Sequence, residues 1–130
     1  MTDEALLIGR LFLGVPFIIW GTMKLRGGEA KLVPRFQKMG LPDAPALAYL
    51  VGLCELVGGV MVVLGYPLRT ASVLLGLWTL VTAYVAHRGD TNQLLAHCGM
   101  AGGFFTLAGA GAGSLALFGG HASGVFGYLP

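Results

Sequence analysis

Residues 44–66 read APALAYLVGLCELVGGVMVVLGY, an apolar run broken by one charge, Glu55, near its middle. A run of about 20 apolar residues is the length a helix needs to cross roughly 30 Å of hydrocarbon. The preceding run, residues 5–23, reads ALLIGRLFLGVPFIIWGTM and carries Arg10 in the same way. A charge at such depth costs several kcal/mol, so it is normally paired, faces a protein interior and marks function. Counted back from the connecting loop, Arg10 lies about 13 residues deep and Glu55 about 11, a difference of ~3 Å for upright helices. The two charges are therefore expected to meet.

Composition agrees with a membrane protein. The chain has 130 residues, 55% hydrophobic and 11% charged, with 22 glycines and a mean hydropathy of +0.77. Soluble domains carry about 25% charged residues. The whole chain, 1–130, reads as one transmembrane domain, without room for a soluble one. The net charge of +2 comes from basic residues concentrated in one loop, a pattern of membrane orientation rather than of nucleic-acid binding. No signal peptide with a basic start and a small-residue cleavage site is apparent, so the first apolar run is expected to stay as a span.

Four spans are expected, at about 5–23, 44–66, 70–87 and 96–119, giving an all-α, antiparallel four-helix bundle. Gly65-Tyr66-Pro67 separates the second from the third, because proline cannot continue the helical ladder. The polar run from His87 to Asn92 ends the third. The fourth is rich in Gly and Ala, which lowers its helix propensity. Beyond it, Phe118, Phe126 and Tyr128 suit a membrane interface. The long connection, 24–43, carries Lys24, Arg26, Lys31, Arg35 and Lys38, with Leu32, Phe36 and Met39 at i, i+4, i+7. That pattern predicts an amphipathic helix in the headgroup plane, its bland alternative being a solvated loop. The positive-inside rule places this loop and 88–95 in the cytoplasm and both termini outside it, in the cytoplasmic (inner) membrane.

Helical spacing puts Arg10, Gly14, Phe17, Gly21 and Lys24 on one face of the first span, and Gly52, Glu55 and Gly59 on one face of the second. Glycines beside a charge let a neighbouring helix approach closely enough to enclose a buried pair. Arg10 and Glu55 then have two readings. One is a static ion pair that fixes helix register; the other is a site for a polar headgroup such as a quinone, or a proton relay. Lys24 and His87, at the cytoplasmic ends of their spans, join Arg10 and Glu55 as candidate ligand-binding residues. His87 and His97 are too few and too differently placed to argue for metal or haem, so no metal is expected. Cys98 beside His97 reads more readily as a packed thiol than as a reactive one. Cys54 and Cys98 differ in depth by about 12 Å, too far for a disulfide. Trp20, Trp78, Tyr49 and Tyr84 read first as packing or interface anchors, although they have the shape to line a pocket for a flat ring. Gly99-xxx-Gly103 and Gly109-xxx-Gly113 suggest close helix contact, within the bundle or between copies. No phosphate loop, nucleotide fingerprint or hydrolase nucleophile motif occurs.

The ordered residues resemble a known family. Arg10-xxx-Gly14-xx-Phe17-xxx-Gly21-xx-Lys24-Leu25, Phe36-xxx-Gly40-Leu41-Pro42, Glu55-xx-Gly58-Gly59, Leu64-Gly65, Arg69 and His87 together look like the DoxX family of small four-helix membrane proteins. The likeness covers roughly residues 5–113. Members often carry an Asp after Gly-x-Gly and Ser-Leu; here Gly111-Ala112-Gly113-Ser114-Leu115 is followed by Ala116. The family is named for a subunit of a thiosulfate:quinone oxidoreductase, and similar proteins are implicated in membrane redox and thiol homeostasis. The resemblance implies a membrane subunit of a quinone-linked redox complex that works with a cofactor-bearing redox protein or as a homo-oligomer in the bilayer. It implies no tightly bound cofactor, a quinone being the compatible ligand, and any catalysis would be that of a non-autonomous subunit. The rival expectation is a non-enzymatic scaffold or small-solute carrier whose charged pair is structural. Fold transfers across such a resemblance more safely than reaction does.

Overall fold

The computed structural model describes residues 2–87 and 89–117, and these are all helix and connection, with no strand among them. Five α-helices follow in order: α1 Asp3–Met23, α2 Glu29–Lys38, α3 Ala44–Leu64, α4 Leu68–His87 and α5 Thr91–Ala110. The helical stretches Asp3–Gly28, Ala44–Leu64 and Leu68–His87 are long and apolar enough to cross a membrane. α5 matches them in length, but its start, Thr91-Asn92-Gln93, is polar and it falls outside that set. The buried cluster of Leu6, Phe17, Val62, Leu68, Leu75, Phe104 and Leu107 lies between the helices. Large apolar side chains also cover the outside, Phe12 being 78% exposed. A surface so apolar suits hydrocarbon rather than water.

α1 packs along α3, and α4 along α5, with lighter contacts between α3 and α4 and between α1 and α5. The first pair is set by glycine. The buried stripe of α1 is Leu6, Arg10, Gly14, Phe17 and Gly21, and that of α3 is Ala48, Gly52, Glu55, Gly59 and Val62. A methyl group on Gly21 would stand 2.5 Å from the Leu56 nitrogen and 2.6 Å from the Gly52 oxygen; one on Gly14 would stand 2.8 Å from the Gly59 oxygen. The two backbones touch, running antiparallel, as small residues allow.

α1 does not run straight into α2. The Lys24–Gly28 segment kinks, with Arg26 at φ −102°, ψ 28° and Gly27 at φ 108°, ψ 4°. A positive φ of that size is glycine's region. The bend turns α2 back against α3, with Leu32, Val33 and Phe36 partly buried and Lys31 and Lys38 exposed. The connection read at 24–43 therefore contains a helix, Glu29–Lys38, shorter than the connection and packed by one side on α3.

Where a fourth span is expected at 96–119, the helix is α5, Thr91–Ala110, which is not among the three stretches long and apolar enough to cross a membrane. α5 starts earlier because Asp90 caps it, its carboxylate accepting from the nitrogens of Asn92 and Gln93 at 3.1 Å each. It ends at Ala110 because Gly111 takes φ 85°, ψ −178°. Gly103 faces Leu13 of α1, while nothing lies within 4 Å of a methyl placed on Gly99 or Gly109. Arg88, Phe118, Phe126 and Tyr128 fall outside the described residues.

Candidate functional site

Glu55 sits about one turn before Gly59 on the buried stripe of α3 and is 4% exposed. Both its oxygens are engaged. Oε2 forms an ion pair with Lys24 Nζ, and Oε1 accepts from the indole Nε1 of Trp78 at 3.0 Å. Lys24 reaches it because the kink begins there, at the end of α1, and Trp78 because α4 packs on α3. The carboxylate thus has an opposite charge and a neutral donor, the condition for burying it at tolerable cost.

This cluster closes the inner end of a cavity of about 780 Å³. Phe17 and Trp20 of α1, Leu47 and Val51 of α3, and Val81 and Val85 of α4 form its apolar walls. Leu32 and Phe36 of α2, with Met39 just beyond its end, form the remaining side, so the apolar face of that helix covers the cavity. Arg35, His87, Gln93 and His97 also line it. The His87 and His97 rings lie 4.6 Å apart with a 36° tilt. His97 Nδ1 is 2.8 Å from the Gln93 carbonyl oxygen. A carbonyl only accepts, so Nδ1 is the donor in this contact. Phe17 packs edge-on against Trp20 and Phe104, at centroid distances of 5.4 and 5.3 Å. The volume lies within the range of small-molecule sites, which pair apolar walls with a few placed polar groups.

Of the four predicted site residues, the structure brings Lys24, Glu55 and His87 to one cavity and leaves Arg10 out. Arg10 is 1% exposed and donates from Nη2 to the Leu115 carbonyl, with Nη1 against Gly65. Gly65 is ten residues beyond Glu55 in sequence, so the two charges stand about 15 Å apart along the helix axis. The expected Arg10–Glu55 pair is replaced by Lys24–Glu55. Counting depth from the loop assumed that α1 and α3 begin level, but Gly21 already faces Gly52. α1 therefore stops roughly two turns short of where α3 starts, and the kink fills the difference.

Sequence reads Trp78 first as a packing or interface anchor and only second as a pocket liner, and does not read the α2 side chains as part of a site. A lone indole gives no local signal, and the apolar face of α2 reads equally well as facing lipid. Trp20 lines the cavity too, whereas Tyr49 and Tyr84 are exposed. Cys54 and Cys98 are both free and exposed. Among the described residues no three His, Cys, Asp or Glu side chains come together to hold a metal.

These features define a membrane-spanning helical protein with an apolar cavity ended by a charged cluster. A family model described as DoxX matches residues 5–88, and the chain belongs to that family. The Bacillus subtilis (strain 168) protein named "Putative oxidoreductase CatD" is 35% identical over 79 residues, 61% of this chain and 56% of that protein. Two Escherichia coli (strain K12) proteins match more of the chain. "Inner membrane protein YqjF" is 27% identical over 122 residues, 90% of this chain and 92% of its own. "Inner membrane protein YphA" is 30% identical over 122 residues, 86% of each. The chain thus spans a little over half of CatD's length and most of the other two. No solved structure matches it.

Proposed function

We propose that the chain is the membrane subunit of a quinone-linked redox assembly, and that its cavity takes up a quinone or a similar lipid-like ring. The observation that carries this reading is the cavity itself: about 780 Å³, apolar on its sides, with Lys24, Glu55 and Trp78 at its inner end. A flat ring fits between Trp20 and the wall of α4, and its carbonyl oxygen accepts from the Lys24 ammonium in competition with Glu55. An isoprenoid tail leaves along the apolar face of α2. The redox assignment is supported by the name of the Bacillus relative. Reducing a quinone takes two electrons and two protons; the electrons come from a cofactor-bearing partner, and His87 and His97 stand where protons pass to water.

In this reading α5 crosses as the fourth helix of an antiparallel bundle in the inner membrane, as the names of the E. coli relatives suggest. α2 lies at the cytoplasmic interface with Lys31 and Lys38 toward anionic headgroups, and both termini lie outside. One observation favours the rival reading, a scaffold or solute carrier: both oxygens of Glu55 are already satisfied by the protein.

The test is purification in a mild detergent followed by mass spectrometry of the extracted lipids. A quinone is expected to co-purify near one per chain, and to be lost from Phe36→Ala, which opens the α2 side. Protein that folds, carries no quinone and does not take one up on addition would favour the scaffold.

A further inference from the structure

Arg10 is a buried cation that no carboxylate among the described residues pairs with. It is 1% exposed; Nη2 donates to the Leu115 carbonyl, and Nε and Nη1 meet no acceptor among the described residues. The chain has six acidic residues. Glu55 belongs to Lys24 and Trp78. Asp90 caps α5, Glu29 begins α2 and Asp43 precedes α3, at the opposite end of the helices. Asp3, two turns away on α1, accepts from the Ser114 nitrogen and hydroxyl. Glu4 is exposed, off the buried stripe of α1. Residues 118–130 contain neither Asp nor Glu. Arginine cannot escape by losing its proton, and an unpaired buried charge is the costliest group a fold can hold.

A second cation lies nearby in the chain's architecture. Residues 111–117 cross this end of the helices, tied by Asp3 to Ser114, by Arg10 to Leu115, and by the Leu117 nitrogen to the Leu64 oxygen at 2.9 Å. Arg69, at the start of α4, has a buried Nε without a partner among the described residues, and its Nη2 lies 3.7 Å from where a methyl on Gly111 would stand. Two guanidiniums thus lie against one short segment. The Ala116 methyl and Arg10 Nη1 both lie against the position of a Cβ on Gly65, so the side chain at 116 stands beside the guanidinium and offers it no polar group.

We propose that Arg10, with Arg69 beside the same segment, binds an oxyanion, a phosphate or carboxylate group, between residues 111–117 and the turn from α3 to α4. Charge-assisted hydrogen bonds from the free N–H groups hold it, and it neutralises the charge that the chain leaves open. The group is either a free anion or the headgroup of an anionic lipid. This site stands apart from the cavity, at the other end of α1, and does not depend on what the cavity binds.

The test uses delipidated full-length protein in maltoside detergent, titrated with sodium phosphate against sodium chloride at matched ionic strength. In parallel, nanodiscs of phosphatidylglycerol are compared with nanodiscs of phosphatidylcholine. A saturable rise in Tm of about 4 °C is expected in one arm. A phosphate response identifies a free anion, and a response confined to phosphatidylglycerol identifies a headgroup. Ala116→Asp places a carboxylate beside Nη1, and is expected to raise Tm without added anion and to abolish the response. If that variant does not fold, Arg69→Gln carries the test and is expected to shift the titration midpoint several-fold. No response in either arm, an Ala116→Asp protein that responds like wild type, or an unmoved midpoint in Arg69→Gln overturns the proposal.

Discussion

The pairing of Glu55 with Lys24 rather than Arg10 is open to a thermodynamic cycle. The side chain of Glu55 is 6% exposed and that of Lys24 21%. Lys24→Met removes the countercharge and leaves Glu55 with the Trp78 donor alone. Breaking one side of a buried pair costs about 3–5 kcal/mol, and the partial exposure of Lys24 puts the expected loss near the lower end. Glu55→Gln keeps an acceptor for the indole and removes the charge, with a loss of about 2 kcal/mol. The double variant has no unpaired charge, so it is expected to lose less than the sum of the singles by about 2 kcal/mol. The control cycle, Arg10→Met with Glu55→Gln, joins sites about 15 Å apart and is expected to be additive within about 0.5 kcal/mol. Denaturation in detergent, followed by tryptophan fluorescence, measures all six proteins. Additive losses for Lys24 and Glu55, or equal coupling in the control cycle, would refute the register from which the site is built.

The glycine contact between α1 and α3 gives a sharper structural contrast. Gly21→Ala puts a methyl against the backbone of α3 and is expected to cost about 3 kcal/mol or to prevent folding, whereas Gly102→Ala meets nothing within 4 Å and is expected to be neutral or slightly stabilising; thermal melts separate the two. Asp90→Ala removes the cap of α5 and is expected to cost about 1 kcal/mol in the same assay, with no change in cavity ligand. For topology, cysteine probes at positions 31 and 92, in a protein lacking Cys54 and Cys98, are expected to label only after the cytoplasmic side is opened, and a probe at position 2 from outside; reversal of both sets would invert the proposed orientation.

Local periodicity made much of this fold legible. The spacing of Arg10, Gly14, Phe17 and Gly21, and of Gly52, Glu55 and Gly59, identifies the two stripes that meet, because helical period is a property of neighbours in sequence. What periodicity does not carry is offset. The depth of Arg10 against Glu55 depends on where α1 ends relative to α3, and that is set by a kink around Gly27 whose geometry no flanking pattern reveals. The same bend decides that Leu32, Phe36 and Met39 cover a cavity instead of facing headgroups. α5 shows the opposite kind of miss. Asp90 ahead of Thr91-Asn92-Gln93 is a readable cap, but three polar residues after a span look like loop when only hydropathy is followed. Lys24 and His87, candidates from sequence, line the cavity, and Trp78 reads first as a packing anchor, since a hydrogen-bonded indole differs from a packing one only through the partner that it finds in space.

The most direct test of the cavity as a ring-binding site reads Trp78 itself. The chain has two tryptophans, so Trp20→Phe leaves Trp78, hydrogen-bonded to Glu55, as the sole indole reporter. Titration with a short-tailed ubiquinone analogue in detergent is expected to quench that fluorescence saturably, near one per chain. Val51→Phe, which fills the wall one turn from Glu55, is expected to weaken binding at least tenfold while the protein stays folded. Quenching that rises linearly without saturating, or a saturable signal unchanged by Val51→Phe, would contradict the assignment of this cavity to a quinone-like ligand.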